Sequence, residues 1–173
     1  MLEEYMNNDL NNPKYLFHGS PMLLSELEMR QSHDSHGTIE NEDLAVFLTS
    51  SFIISSAYAF KDKIKEISDG RDYSFEIGRD ADSGTLIINM SNVNIDDNME
   101  GYIYVVPYDE SYEHHGRSIQ YKSHNNIRPI ETIKIRFGDY RQFYSINNDI
   151  DRGEKSESNN DKTTMGDINS RRI

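Results

Sequence analysis

The hydrophobic pattern offers one clear helix among many short strands, and that imbalance limits the fold more than any other feature. "SSFIISSAYAFKDKIKEI" is the helix, because Phe52, Ser56, Ala59, Phe60, Ile64 and Ile67 recur near helical spacing. Ser50 or Ser51 stands where a side-chain cap belongs. Around the helix lie apolar runs bounded by turn residues: Lys14–His18, Ala45–Ser50, "DYSFEI", "GTLIINM", Gly101–Tyr108, Ser118–Ser123 and Glu131–Phe137. "GRDADS" joins two of them as a hairpin, and "GYIYVVPY" is the strongest strand of the set. The pattern predicts an α+β chain with a β-rich, mostly antiparallel core and few helices.

A chain of 173 residues is one domain by default, and a hydrophobic fraction of 35% leaves part of it outside the core. Residues 1–13 read as a loose polar arm, 14–144 as the domain and 145–173 as a disordered tail. A partner-docking peptide is the second reading of that tail. "RQSHDSHGTIENED", Arg30 to Asp43, reads as a polar loop that serves as a flexible lid. The formal net charge of −12 opposes nucleic acid and anionic membrane as partners, and mildly favours a monomer. There is no cysteine, no apolar run long enough for a membrane span, and the first dozen residues reverse the polarity of a secretory signal. The expectation is a soluble, cytoplasmic protein.

The chemistry concentrates in three short motifs in a fixed order. "YLFHGSP" runs a strand into His18, Gly19 and Ser20. "VFLTSSFIISSAYAF" carries Phe47 on a strand and Tyr58 on the helix, with Ser55 between them. "SIQYKSHNNIRPIETIKIRF" places Gln120 near the start of another strand. Each motif alone is weak, since a strand-end histidine commonly serves its own backbone and a helical tyrosine commonly serves the core.

In this order the motifs resemble the catalytic domain of the ADP-ribosyltransferase superfamily. The likeness is to the diphtheria-toxin-like branch that includes the poly(ADP-ribose) polymerases, and it runs over residues 14–144. That branch is described by a His–Tyr–Glu signature. The resemblance implies an ADP-ribosyltransferase-like fold of two small, mostly antiparallel sheets, with NAD as co-substrate. It implies that His18 donates to the adenosine-side ribose and that the Gly19 backbone clamps the nicotinamide carboxamide. Ser20 matches the small hydroxyl residue of the motif. Phe47 and Tyr58 match the rings that sandwich nicotinamide, and Ser55 matches a serine that bonds the carboxamide. Gln120 stands where the family has its glutamate. It can hydrogen-bond a ribose hydroxyl but supplies neither charge nor a base. "GYIY" followed by Asp109, Glu110 and Glu113 also resembles the rifampin ADP-ribosyltransferases, in which an aspartate of this region is the third functional residue. Asp109 and Glu110 are therefore the second candidates for the missing carboxylate. Arg30, followed by Arg71, Arg79 and Arg117, is the candidate for the diphosphate.

The function implied is an NAD-dependent mono-ADP-ribosyltransferase-like protein, acting on an unknown protein or small-molecule acceptor, or on water. Gln120 supports a rival on the same fold, a module that binds NAD or ADP-ribose, or a protein partner, without turnover. An RNA 2′-phosphotransferase-like activity is a second rival, opposed by the acidic charge and by the lack of an arginine-rich stretch. Whether the chain is an enzyme therefore stays open here. No metal is expected, because neither His33–Asp34–His36 nor His114–His115 has helix-borne ligand spacing.

Overall fold

The computed structural model describes residues 2–33, 39–69, 73–114, 116–148 and 171–172. The elements in chain order are α1 (Leu2–Met6), β1 (Tyr15–Ser20), β2 (Arg30–His33), β3 (Ile39–Thr49), α2 (Phe52–Ser68), β4 (Ser74–Arg79) and β5 (Leu86–Ser91). There follow β6 (Glu100–Pro107), β7 (Glu113–His114), β8 (Gln120–Ser123), β9 (Glu131–Arg136), α3 (Phe137–Tyr140), a 3-10 turn (Arg141–Phe143), β10 (Tyr144–Asn147) and β11 (Arg171–Arg172). The architecture is α+β with two mostly antiparallel sheets and few helices.

The larger sheet runs β7-β8-β3-β1-β6-β9, with β2 paired to β3. The smaller runs β10-β5-β4-β11, and its β10–β5 pair is parallel. Helix α2 packs between them. Phe17, Ile103, Val105 and Ile135 of the larger sheet share a buried cluster with Phe52, Ile54, Phe60 and Ile64 of α2. Phe75, Ile77, Ile88 and Met90 of the smaller sheet complete that cluster. The opposite face of the larger sheet holds a second cluster, in which Leu16, Val46, Leu48, Tyr104, Val106 and Tyr121 pack with Leu27.

Two glycines let α2 lie this close. A Cβ on Gly19 would stand 1.9 Å from the Ser55 carbonyl oxygen and 2.8 Å from the Ala59 amide nitrogen. A Cβ on Gly101 would stand 2.9 Å from the Ala59 Cβ. The glycine of the His-Gly-Ser motif is thus required for packing whatever else its backbone does. The helix starts as its sequence suggests, with the Ser51 hydroxyl accepting from the Ile54 amide at 3.1 Å. Its periodic residues are buried except Ile67, which is 39% exposed.

The first residues are not a loose arm. Tyr5 of α1 is buried against Tyr15, Phe17 and Phe52, and its hydroxyl donates to the Glu131 carboxylate. Asn8 uses both ends of its amide. Its nitrogen donates to the carbonyls of Tyr15 and Ser50 at 2.8 and 2.9 Å, and its oxygen accepts from the amides of Lys14 and Tyr15 at 3.1 Å. An asparagine-rich stretch that reads as solvated is in fact ordered by side-chain bonds to backbone.

The expected polar loop at residues 30–43 is instead occupied by β2 and the first half of β3, which pair antiparallel. Residues 34–38 lie outside the described set. The domain runs past its expected end at residue 144, because Tyr144–Asn147 pairs with β5, the Asn148 amide bonds both the amide and the carbonyl of Val93, and Arg171–Arg172 of the expected tail pairs with β4. Residues 149–170 and 173 lie outside the described residues. No helix among the described residues is long and apolar enough to cross a membrane.

Thermal unfolding should rank the glycines by the space behind them. Gly19→Ala is expected to cost about 3 kcal/mol and Gly101→Ala less, by overpacking. Gly84→Ala, at φ +73° with nothing within 4 Å, is expected to cost about 1 kcal/mol. Equal losses at the three positions would remove the close crossing of α2 as a constraint. Tyr5→Ala should cost about 3 kcal/mol in the same assay, whereas an arm that makes no packing contribution would leave the midpoint unchanged.

Candidate functional site

The three motifs fall on neighbouring strands. Phe17 of β1 lies opposite Thr49 of β3, and Thr49 lies opposite Gln120 of β8. Strand alternation then fixes which side chains share a face. Gly19, with Phe17, faces α2, whereas the His18 side chain takes the opposite face with Leu16, paired with Tyr104 and with its ring centroid 6.3 Å from the Tyr104 ring. Thr49 and Phe47 lie on that face of β3, and Gln120 and Lys122 on that face of β8, since Phe47 pairs with Lys122.

Between β1 and β3 the ladder holds at the Phe17–Thr49 position alone. Beyond it, the His18 ring takes the place of a ladder bond. Its Nδ1 lies 2.8 Å from the Phe47 carbonyl oxygen. A carbonyl only accepts, so Nδ1 carries the hydrogen, and Nε2 of the neutral ring is an acceptor. Burial holds the His18 pKa below its usual 6.5. The bond to Phe47 opposes that shift and the nearby positive charge of Arg30 adds to it. The imidazole is therefore neutral at neutral pH. A ribose hydroxyl would donate to Nε2, which reverses the donor role that the resemblance implies for His18.

Tyr58 is placed by the phase of α2. Ser55 and Ala59 meet β1, Ala59 meets Gly101 of β6, and Lys63 reaches the Glu100 carbonyl of β6 at 2.6 Å. Tyr58 lies about 100° around the helix from Ala59, on the flank away from Lys63 and toward β3. It is half-buried against the main cluster, and the Lys61 ammonium stands 5.5 Å from its ring centroid. Phe47 is likewise half-buried, with the Lys122 ammonium 5.8 Å from its ring centroid.

Other expected residues are less directly placed. Ser55 is fully buried and its hydroxyl donates to the Phe52 carbonyl at 2.6 Å, so reaching a carboxamide requires a rotamer change. Ser20 is buried and its hydroxyl accepts from the Met22 amide at 3.1 Å. Arg30 is exposed on β2, close enough for its charge to act on His18.

Asp109 and Glu110 are exposed beyond the Pro107 end of β6, where Pro107 lies opposite Tyr15 and the Tyr108 amide bonds the Lys14 carbonyl. The Tyr108 ring packs on Tyr121, whose side chain belongs to the face opposite Gln120, so the structure does not bring this loop to the Phe47–Gln120 row. Asp109 is held below the ordinary carboxylate range by the amide and hydroxyl of Ser111. Arg79 bonds the Gly84 carbonyl of its own hairpin and Arg117 is exposed. Arg71, Asp34, His36 and His115 lie outside the described residues.

Sequence reasoning passed over Lys61 and Lys122. Both were legible by spacing, one helical turn after Tyr58 and two strand positions after Gln120. No family model, curated protein or solved structure matches the chain.

Imidazole NMR should find His18 titrating below 6.5, with the hydrogen on Nδ1 near neutral pH. Arg30→Ala should move the titration upward. Because the native ring resists protonation, the unfolded state binds more protons below pH 6.5, so His18 makes folding less favourable as pH falls through that value. A midpoint above 6.5 would contradict the enclosed, neutral ring.

Proposed function

We propose that this chain is an NAD-binding protein of the ADP-ribosyltransferase type, with the ADP-ribosyltransferase-like fold, and that it transfers ADP-ribose to an acceptor or to water. The observation that carries this reading is the parted β1–β3 seam. There one strand end offers an imidazole nitrogen from the Tyr104 face of the sheet and bare glycine backbone, while the neighbouring strand and α2 offer Phe47 and Tyr58 from the other face.

Each group has a task in breaking the bond between ribose and nicotinamide. The Nε2 atom of His18 accepts from a ribose hydroxyl and fixes the adenosine half. The Gly19 backbone is the clamp for the carboxamide. Phe47 and Tyr58 hold the departing ring by its faces, which orients the bond for cleavage. The ring leaves as neutral nicotinamide with the bonding electron pair, and the sugar carries the positive charge until an acceptor oxygen or nitrogen, or water, attacks. Gln120 orients a hydroxyl by its amide but leaves that charge unopposed, so turnover is slow.

The neutral Gln120 also favours a second reading, a domain that binds NAD or ADP-ribose without cleaving it. The two separate in one assay, nicotinamide release measured chromatographically. Wild type should release slowly, Gln120→Glu about a hundred-fold faster, and His18→Ala not detectably, with its thermal midpoint measured alongside. Binding without release even in Gln120→Glu would favour the non-catalytic domain. Neither binding nor release would overturn the NAD reading.

A further inference from the structure

We propose that Asn8 is a positioning residue for the seam between β1 and β3. Its carboxamide pins the two strands just before they part, and so keeps the His18 ring at the Phe47 carbonyl. The inference rests on the reading of that seam as a dinucleotide site and gives the N-terminal arm a part in it.

Three different contacts follow one another along the seam. The Tyr108 amide takes the Lys14 carbonyl on the β6 side, so alternation along β1 turns the amide and carbonyl of Tyr15 toward β3. Continuing the register of the Phe17–Thr49 pair would set Ser51 opposite Tyr15. Ser51 is instead the cap of α2, and its amide bonds the Thr49 hydroxyl at 3.1 Å. The Asn8 side chain fills the place that this turn leaves. Its oxygen accepts from the Tyr15 amide at 3.1 Å and its nitrogen donates to the Tyr15 carbonyl at 2.8 Å, the two bonds that a strand residue would exchange there. Phe17 then meets Thr49, and the His18 ring reaches the Phe47 carbonyl from the next position.

Asn8 does more than satisfy Tyr15. The same nitrogen also donates to the Ser50 carbonyl at 2.9 Å, so one carboxamide ties the start of β1 to the end of β3. The Ser50 hydroxyl in turn donates to the Leu10 carbonyl at 3.0 Å. The arm therefore grips both strands on one side of the Phe17–Thr49 pair, and the imidazole links them on the other. A single ladder pair is a pivot on which β1, carried by β6, and β3, carried by β8, can turn. A tie beside that pair makes the pivot a fixed point, and the span that His18 must bridge is set there. Tyr5, buried against Tyr15, Phe17 and Phe52, keeps the arm in place to do this.

Asn8→Asp separates the two ends of the side chain, because a carboxylate still accepts from the Lys14 and Tyr15 amides but donates to neither carbonyl. In the full chain carrying it, amide exchange at Phe17 should quicken about ten-fold relative to Val105. Val105 is the reference because it lies on β6 with its carbonyl bonded to the Ile130 amide, away from the seam. The His18 Nδ1 hydrogen should lose its hydrogen-bonded NMR shift, and calorimetric titration should find NAD bound about ten-fold more weakly. Gly84→Ala, destabilised at the β4–β5 hairpin, should leave all three readings in place. If Asn8→Asp does not fold, Ser50→Ala, which removes only the tie to Leu10, should move the readings the same way by about three-fold. Phe17 and Val105 quickening together, with the His18 resonance unmoved, would reduce Asn8 to an anchor for the arm and overturn the proposal. A loosened seam that binds NAD within about two-fold of wild type would overturn the part of Asn8 in the site and leave the NAD reading standing. Wild type that binds no NAD would overturn the NAD reading alone, since amide exchange and the imidazole resonance still decide whether Asn8 holds the seam.

Discussion

The approach of α2 to β1 at Gly19 is the contact on which the rest of the molecule depends. A helix backbone normally stands off a sheet by the thickness of side chains. Here the Ser55 carbonyl lies where the first carbon of any other residue would be. That contact fixes the height of α2, and Gly101 fixes it a second time on β6. With the helix so low, its phase decides what hangs over each strand. Ser55 and Ala59 go to β1, and Tyr58 falls on the flank away from β6. The smaller sheet follows the helix, because the Ser56 hydroxyl on α2 meets the Tyr144 hydroxyl of β10 at 2.7 Å inside the core.

The same contact changes the meaning of the His-Gly-Ser motif. Glycine next to histidine at a strand end suggests a backbone open to ligand. In the structure the missing side chain is first of all a requirement of helix packing. The two roles are compatible, since packing uses the Cα side of Gly19 and a ligand would use its amide and carbonyl. A glycine that satisfies both is doubly constrained, and its replacement would confound folding with binding. His18 is the cleaner probe, because its ring bonds the Phe47 carbonyl at the seam without supporting α2.

Much of the fold was legible wherever apolar residues carry the information. The long helix with its Ser51 cap, the β4–β5 hairpin and the β6 strand all appear near their expected positions. What escaped was held by polar atoms. α1 and the turn after it are tied down by Tyr5 and by the amide of Asn8, β10 by Tyr144 and the amide of Asn148, and β7 by the His114 ring stacked on Tyr121 and the Glu113–His124 contact beside its two-residue pairing with β8. Such bonds leave no periodicity to read. Of the candidate site, the residue types could be read, and so could the order of the strands that bear them. The loss of ladder pairing beyond Phe17–Thr49 could not, since it depends on how two non-adjacent strands diverge. The direction of the His18 hydrogen bond was hidden for the same reason: its partner is a backbone carbonyl twenty-nine residues away.

The position of β1 in the larger sheet also governs when this protein can fold. β1 leaves the ribosome well before β6, its full-length partner, yet it sits in the interior of the sheet. Leu16 must wait for Val106, roughly ninety residues later, before that ladder can close. Until then Leu16 and Phe17 have neither sheet partner nor complete core, and the edge beside them is open to other chains. Assembly of the seam is thus a late event, because β6 and β8 must both be made before β1 and β3 have their sheet neighbours.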